Sequence, residues 1–313
     1  MPPTVAAPSA ARQPVAIYRV PSRRRRWARI AVREGLYYGL LSAFSVVMLL
    51  PFLWMLSTSL KLDAEILSVP IRWLPRRVTF EHYRDAFNTV PFGRYFLNSL
   101  ILATAGVVTN CTLGSLGGYA YARMRFRGNV LLFRLLLAGM MVPGVVTLIP
   151  TFIILRSFPL LGGNDWLGRG GVGLLNTYLA VILPGAAGAF AVFMMRQFFL
   201  TLPSELGEAA RLDGASEFRI YRQIYLPLCK PALATLAIFT FQAGWNAFLF
   251  PLIVLNDPDL STVQMGLAAF QFNYDTDYGP LMAASVVTVL PTIALYLWAQ
   301  RYFAEGLAFT GSK

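Results

Sequence analysis

Mostly apolar runs of about 20 residues or more recur six times along this chain, each long enough to cross the ~30 Å hydrocarbon core of a bilayer as a helix. They fall at 36–60, 95–121, 130–155, 174–195, 232–255 and 279–300. No other feature restricts the fold as severely, because a backbone inside lipid must satisfy its amides and carbonyls internally. The expected fold class is an all-α integral membrane protein with six transmembrane helices. Composition agrees: of 313 residues, 56% are apolar and 13% charged, about half the ~25% charged fraction of a soluble domain. The third run is the least regular. It carries Arg134 near one end and Pro143, Gly144 and Pro150 inside. A proline removes a backbone donor, so a kink or break is expected there.

A net charge of +12, from 27 Lys and Arg against 15 Asp and Glu, suits either a nucleic-acid binder or a membrane protein with basic cytoplasmic loops. Placement decides between them. Nineteen of the 27 basic residues lie before the first run, in the second-to-third and fourth-to-fifth connections, at Arg134, or after the sixth run. The fifth-to-sixth connection instead holds Asp257, Asp259, Asp275 and Asp277, with no Lys or Arg. Both termini are therefore expected in the cytoplasm. The Arg23–Arg26 run reads as a topology determinant with some lipid contact, and no base-stacking aromatic pattern accompanies it, so no nucleic-acid partner is expected.

The expected organisation is an Arg-rich cytoplasmic tail at 1–34, a six-span domain at 35–300 and a cytoplasmic C-terminal tail at 301–313. Roughly the first 20 residues, rich in Pro and Ala, are expected to be disordered. The first apolar run has span length and no small-residue cleavage site at its end, so it reads as a span and not as a signal peptide.

Enzymatic signatures are lacking. Neither H-E-x-x-H nor G-x-S-x-G occurs, and none of the lysines Lys61, Lys230 and Lys313 stands in a G-K-[ST] sequence. Two cysteines and one histidine cannot build a Cys/His zinc cluster. No catalytic residue, metal site or resident cofactor is expected, and His82 reads as an ordinary surface histidine. Every Asp and Glu falls in a connection or at a helix end, which removes the buried acids that a proton- or sodium-coupled transporter uses.

The polar groups inside the spans are uncharged apart from Arg134. Asn98 and Asn110 in the second span, and Gln242 and Asn246 in the fifth, can hydrogen-bond either a neutral hydroxylated solute or a neighbouring helix. Trp245 can offer a ring face to a sugar or serve as a core aromatic. Gly106, Asn110, Gly114 and Gly118 recur every fourth residue, which puts a small-residue strip on one helix face where another helix, internal or from a second subunit, can approach closely.

The connection at 196–231 is too long for a simple turn between two spans. Pro203 suits a first helical turn, with Glu205 near the positive helix end. Leu206, Ala209, Ala210 and Asp213 share a face, and Gly214 suits a left-handed stop. Ser216 is placed to cap a second short helix through about Tyr225, closed by Pro227. The expectation is a helix-turn-helix at the membrane surface, with paired alanines that let a partner come close.

Here the chain resembles a known family. Glu208-Ala209-Ala210, three residues, Gly214, nine residues, then Ile224, Leu226 and Pro227 is similar to the cytoplasmic signature of binding-protein-dependent ABC-importer permeases. Asn98-Ser99-Leu100, the Gly173 to Thr177 segment, Trp245-Asn246, the Leu281 to Ser285 segment and the Gln300 to Phe303 segment resemble the sugar-uptake class, in particular the second, six-span permease of maltose-type importers. The resemblance runs from about residue 35 to the end. It implies a multi-pass protein of the bacterial cytoplasmic membrane that imports a carbohydrate. Its partners would be a second permease subunit, a cytoplasmic ATPase dimer that carries the ATP and Mg, and an extracytoplasmic solute-binding protein. It implies that Glu208, Ala209, Ala210, Arg211, Asp213 and Gly214 contact the ATPase while Ile224, Leu226 and Pro227 brace the return to the membrane. It offers the 306–313 tail as a second ATPase contact, and the acidic fifth-to-sixth loop as part of the binding-protein surface. Two alternatives remain open: a permease of this class for a glycerol-phosphate-type or polyol solute, and an ATP-independent sugar channel.

Overall fold

The structure is a computed structural model that describes residues 23–271 and 276–310, with side chains over 32–271 and 276–300. Among the described residues there are helices and loops and no strand. In chain order the helices are α1 (Arg23–Thr58), α2 (Asp63–Ile66), α3 (Glu81–Thr89), α4 (Phe92–Arg123), α5 (Asn129–Met140), α6 (Gly144–Arg156), α7 (Tyr178–Gly185) and α8 (Ala189–Thr201). They continue with α9 (Glu205–Leu212), α10 (Glu217–Ile220), a π turn at Tyr221–Tyr225, α11 (Leu226–Leu228) and α12 (Lys230–Trp245). The chain ends in α13 (Leu249–Val254), α14 (Val263–Ala269) and α15 (Tyr278–Thr310).

Four stretches are long and apolar enough to cross a membrane outright: Val32–Thr58, Phe92–Arg123, Tyr178–Thr201 and Tyr278–Gln300. Two bent pairs bring the number of candidate spans to six. One is α5 with α6, turned by 105° where Pro143 precedes Gly144, as the proline pair in the third run leads one to expect. The other joins the 217–228 helix to α12 through an 80° bend.

The boundaries depart from the sequence reading in three places. The fourth span starts at Tyr178 and not at 174, and runs on to Thr201, because Asn176 adopts a left-handed φ of 58° and Thr177 caps the helix from Ala180. The fifth run does not form one helix over 232–255: α12 ends at Trp245 and α13 starts afresh at Leu249. Asn246 is the one polar residue of the 246–248 break, and a single polar residue in an otherwise apolar run does not locate a helix end by hydropathy alone. Helix α1 already runs from Arg23, inside the segment expected as a tail. Residues 1–22, where disorder is expected, lie outside the described residues.

The chain divides into two units, up to Leu53 and from Trp54 onward. In the first, every α1 side chain from Val32 to Leu53 is exposed. In the second, α4 is the central helix, with α8 and α12 against it. The small-residue strip explains how closely they pack. A Cβ at Gly114 would lie 2.6 Å from that of Ala191, and one at Gly118 would lie 2.7 Å from that of Met195. Gly244 of α12 returns the favour, since a Cβ there would lie 3.2 Å from Cα of Ala103. The strip's partner is thus internal, and α4 and α8 touch almost backbone to backbone.

The 59–92 connection folds against the end of this bundle. Lys61 is fully buried; its Nζ donates to the Arg72 carbonyl at 2.6 Å and sits 3.9 Å from the Trp54 ring centroid. Burial pushes the Lys61 ammonium below the ordinary lysine range, against the pull of Glu65. His82, expected at the surface, is 3% exposed. Its Nε2 lies 2.7 Å from the Lys61 carbonyl, and its ring occupies the space where a Cβ on Gly279 would stand.

Candidate functional site

The 196–231 connection folds as a helix-turn-helix whose parts follow local rules. Helix α9 carries Glu205 and Glu208 in its first turn, favourable at the positive end of the helix. It stops at a Schellman arrangement: Ala215 N donates to Ala210 O at 2.9 Å and Gly214 N to Arg211 O at 3.0 Å, with Gly214 at φ +75°. Ser216 then caps α10, accepting from Arg219 N. Pro227 does not close this second helix. It falls in the first turn of α11, where a missing N–H costs little, and the helical path runs from Glu217 through the π turn to Leu228.

The two adjacent alanines of the signature, expected on one face, differ in their surroundings. Ala210 is buried with Gly207, whereas Leu206, Glu208, Ala209, Leu212 and Asp213 are exposed, Leu212 by 90%. Gly207 is small for a reason on this inner side: a Cβ there would stand 2.8 Å from Oη of Tyr225, which itself donates to the Pro203 carbonyl at 3.1 Å. Ile224 and Leu226 pack on the same cluster as Tyr119, Phe199, Tyr221 and Tyr225. Pro227 is exposed.

Polar contacts fasten this loop to α4. Glu217 accepts from Tyr119 Oη at 2.8 Å and from Arg211 Nε at 2.6 Å and Nη2 at 3.3 Å. The bonds from Arg211 hold the Glu217 carboxyl below the usual carboxylate range; Tyr119 acts in the same direction and desolvation against it. Tyr221 Oη and Ser115 Oγ lie 2.7 Å apart. Arg123 donates to the Phe199 carbonyl at 2.6 Å and to the Leu202 carbonyl, with its guanidinium carbon 4.9 Å from the Tyr225 ring centroid. A cavity of about 630 Å³ opens beside these groups, lined among others by Arg123, Arg125, Ser204, Glu208, Arg211 and Glu217.

The polar residues expected along a solute pathway have diverse surroundings. Asn98 is 2% exposed; it donates to the carbonyls of Asp259 and Ser261, each at 2.9 Å, and accepts from Tyr178 Oη at 2.7 Å. Trp245 is 1% exposed, stacked on Phe241, with Phe96 edge-on and its indole N–H on the Thr288 carbonyl at 3.1 Å. Asn110 donates to Gly185 O at 2.7 Å and accepts from Gly188 N at 3.1 Å, so it stitches the break between α7 and α8. It also lines a cavity of about 300 Å³ with Gly106, Phe239, Thr240 and Pro251, and no charged residue lines that cavity. Gln242 is half-buried and Asn246 exposed, the latter accepting from Gln264 at 3.3 Å. Among the described residues no three of His, Cys, Asp and Glu come together as a metal site. The side chains of the 306–313 tail and Asp275 lie outside the described residues.

Several motifs that carried the family resemblance are joints of the far end of α4. Ser99 Oγ accepts from Val263 N at 2.8 Å, and Asn176 Oδ1 accepts from Asn256 N at 2.6 Å and Asp257 N at 3.1 Å. With Asn98, they fix the loop that carries Asp257 and Asp259; the latter pairs with Arg94 at 3.3 Å. Sequence reasoning missed Gly207, Tyr119, Glu217 and Tyr225. For Gly207 a signal existed: glycine inside a short helix is costly unless something needs the space.

Residues 111–308 match the family described as the inner membrane component of binding-protein-dependent transport systems. The chain is 37% identical over 273 residues to the diacetylchitobiose uptake system permease protein NgcG of Streptomyces coelicolor, covering 87% of this chain and 86% of that one. It is 35% identical over 253 residues to the sn-glycerol-3-phosphate transport system permease protein UgpE of Pectobacterium atrosepticum, covering 78% and 85%. The fold is similar to a chain in the crystal structure of a bacterial ABC transporter involved in import of the acidic polysaccharide alginate, with TM-score 0.74, 25% identity and coverage of 90% and 98%. With two thirds or more of both chains matched, and a helix-turn-helix folded where the signature lies, this chain belongs to the binding-protein-dependent inner membrane components, the permeases of ABC transport systems.

Proposed function

We propose that this chain is one of two permease subunits of an ATP-driven importer for a neutral mono- or oligosaccharide, with the 196–231 loop and both termini in the cytoplasm. The observation that carries this reading is the division of α9 into two faces. One, with Gly207 and Ala210, is fastened to the bundle; the other presents Leu206, Glu208, Ala209, Leu212 and Asp213, all exposed among the described residues. That outer face docks on a cytoplasmic ATPase. Arg211 and Gly214 shape it from behind, while Ile224, Leu226 and Pro227 brace the return into α12.

An extracytoplasmic binding protein delivers the solute on the opposite side, where the ordered loop at 255–263 contributes to the docking surface. ATP and Mg bind the ATPase dimer, whose closure draws the loops of the two permeases together and switches the spans between inward-facing and outward-facing states. The free energy comes from the different contacts the loop makes with the two ATPase conformations.

Glu208→Lys places the wrong charge on the docking face. Gly214→Pro cannot adopt φ +75°. Both abolish solute-stimulated ATPase activity in the reconstituted complex while membrane insertion persists. Unchanged stimulation in both sinks the coupling role, and an active transporter that purifies without any ATPase points to the channel alternative.

A neutral solute is supported by the uncharged lining of the 300 Å³ cavity and by Arg134, the one basic residue inside an apolar run, lying exposed on α5. The glycerol-phosphate reading rests on the relative that carries that name. Diacetylchitobiose, alginate oligosaccharides and sn-glycerol-3-phosphate, each offered with the cognate binding protein, separate these readings, and stimulation by an anionic solute alone overturns the neutral one.

A further inference from the structure

Helix α9 buries only Gly207 and Ala210, too little apolar surface to hold eight residues still under load. Two devices compensate. Tyr225 closes over Gly207 and reaches the Pro203 carbonyl. The second is the Glu217 carboxylate, which joins three elements at once: Arg211 at the end of α9, Tyr119 near the end of α4, and α10 through its own backbone. Tyr119 is 3% exposed, so its hydroxyl is committed to the interior, and both oxygens of Glu217 are taken within the chain. A bidentate guanidinium and a phenol on one carboxylate form charge-assisted bonds that fix direction as well as distance.

We infer that Glu217 is a positioning residue that locks the 205–228 helix-turn-helix to α4, so that the loop and this helix move as one body when the transporter changes state. The inference rests on the proposed coupling role for its functional meaning, though the lock itself is a property of this chain. Without it, a displacement applied to the outer face of α9 would be absorbed by rotation about Gly214, whose surroundings are open. Glu217 acts through Arg211 and Tyr119 and does not itself touch the ATPase.

The test places spin labels at Leu113→Cys on α4 and Glu205→Cys on α9, both exposed and neither on the docking face, in a chain whose Cys111 and Cys229 are replaced by alanine. The assembled complex is held in nanodiscs, with and without ATP and vanadate. The expected result is one narrow distance peak that stays in place when the complex is trapped. Glu217→Gln removes the charge from the bond to Arg211, and Tyr119→Phe removes the anchor on α4. Each should broaden the trapped-state peak about twofold, and the pair should broaden it little more than either alone, since residues in one network are not additive. Each should also lower solute transported per ATP hydrolysed about fivefold, the low end for coupling between sites. A wild-type pair that shifts on trapping, or variants that keep the wild-type width, overturns the lock. Cross-linking of a Leu212→Cys variant without spin labels to the ATPase, under the same conditions, separates the two ideas. A narrow, stationary peak without any cross-link upholds the lock and overturns the coupling role, whereas a cross-link with unbroadened variants does the reverse.

Discussion

At Gly114 and Gly118, α4 meets α8 through the absence of side chains; at Ser115, Tyr119 and Arg123 it meets the 196–231 loop through hydroxyls and charge. The first contact is a seam in which Gly114 and Gly118 let the backbone of α8 come so close that a methyl group has no room. The second is a set of directed bonds: Ser115 to Tyr221, Tyr119 to Glu217, and Arg123 to the carbonyls of Phe199 and Leu202. In lipid, apolar surfaces gain little by leaving the solvent, so close packing must hold the spans together. At the water boundary, hydrogen bonds fix orientation, which a lever needs more than depth of burial. One helix thus carries a seam that resists any change of volume and a joint that resists rotation.

Filling the seam gives the largest effect. Gly118→Leu pushes a branched side chain into backbone atoms of Met195 and Arg196. Overpacking of that kind costs about 1–3 kcal/mol where neighbours can shift, and here the obstacle is backbone. The expected outcome is loss of a monodisperse permease in detergent, read by size-exclusion chromatography. A monodisperse Gly118→Leu protein would mean that α4 and α8 are not held at this distance.

Filling the joint comes next. Gly207→Ala sets a methyl 2.8 Å from the Tyr225 hydroxyl, the end of a side chain that can swing aside at the loss of its bond to Pro203. The cost should be about 1 kcal/mol, one hydrogen bond. The protein should remain assembled but show faster hydrogen exchange over 205–212. The α9 amides are the part of the molecule to watch, because α8 should be unaffected. Tyr221→Phe, which removes only the contact with Ser115, should cost about 0.5–1.5 kcal/mol and leave α9 exchange closer to wild type. Equal exchange in the two variants would show that the joint does not depend on Tyr225.

The seam was legible from the chain and the joint was not. Residues 106, 110, 114 and 118 repeat every fourth position on a run already identified as a helix, so the strip needs only helical geometry to be seen. Gly214 and Ser216 were legible for the same reason, since each acts within a few residues. Tyr119 and Glu217 stand 98 positions apart, and nothing local in either marks the other. The split of the signature alanines is intermediate. Helical spacing turns adjacent residues by about 100°, yet which one faces inward depends on Tyr225, fifteen residues beyond Ala210. The break after Trp245 and the burial of His82 fall in the same class: both are decided by long-range packing against α14 and α15.

Acid supplies the smallest and sharpest test of the joint. The Glu217 carboxyl ionises below its ordinary value of 4.5, chiefly because Arg211 bonds its charged form. A depressed carboxyl contributes stability that is complete above the ordinary value and disappears as pH falls through the folded one. The pair is solvent-accessible, with side chains 42% and 39% exposed, so screening keeps the contribution modest. At neutral pH the wild-type spin-label peak should be narrower than that of Glu217→Gln. As the pH drops past the ordinary value of 4.5 and through the lower folded one, the two widths should converge, because a protonated glutamic acid, like glutamine, offers Arg211 no charge. Widths that converge already near pH 6 would assign the change to another group. A wild-type peak that stays narrow throughout would leave Tyr225 over Gly207 as the element that holds α9.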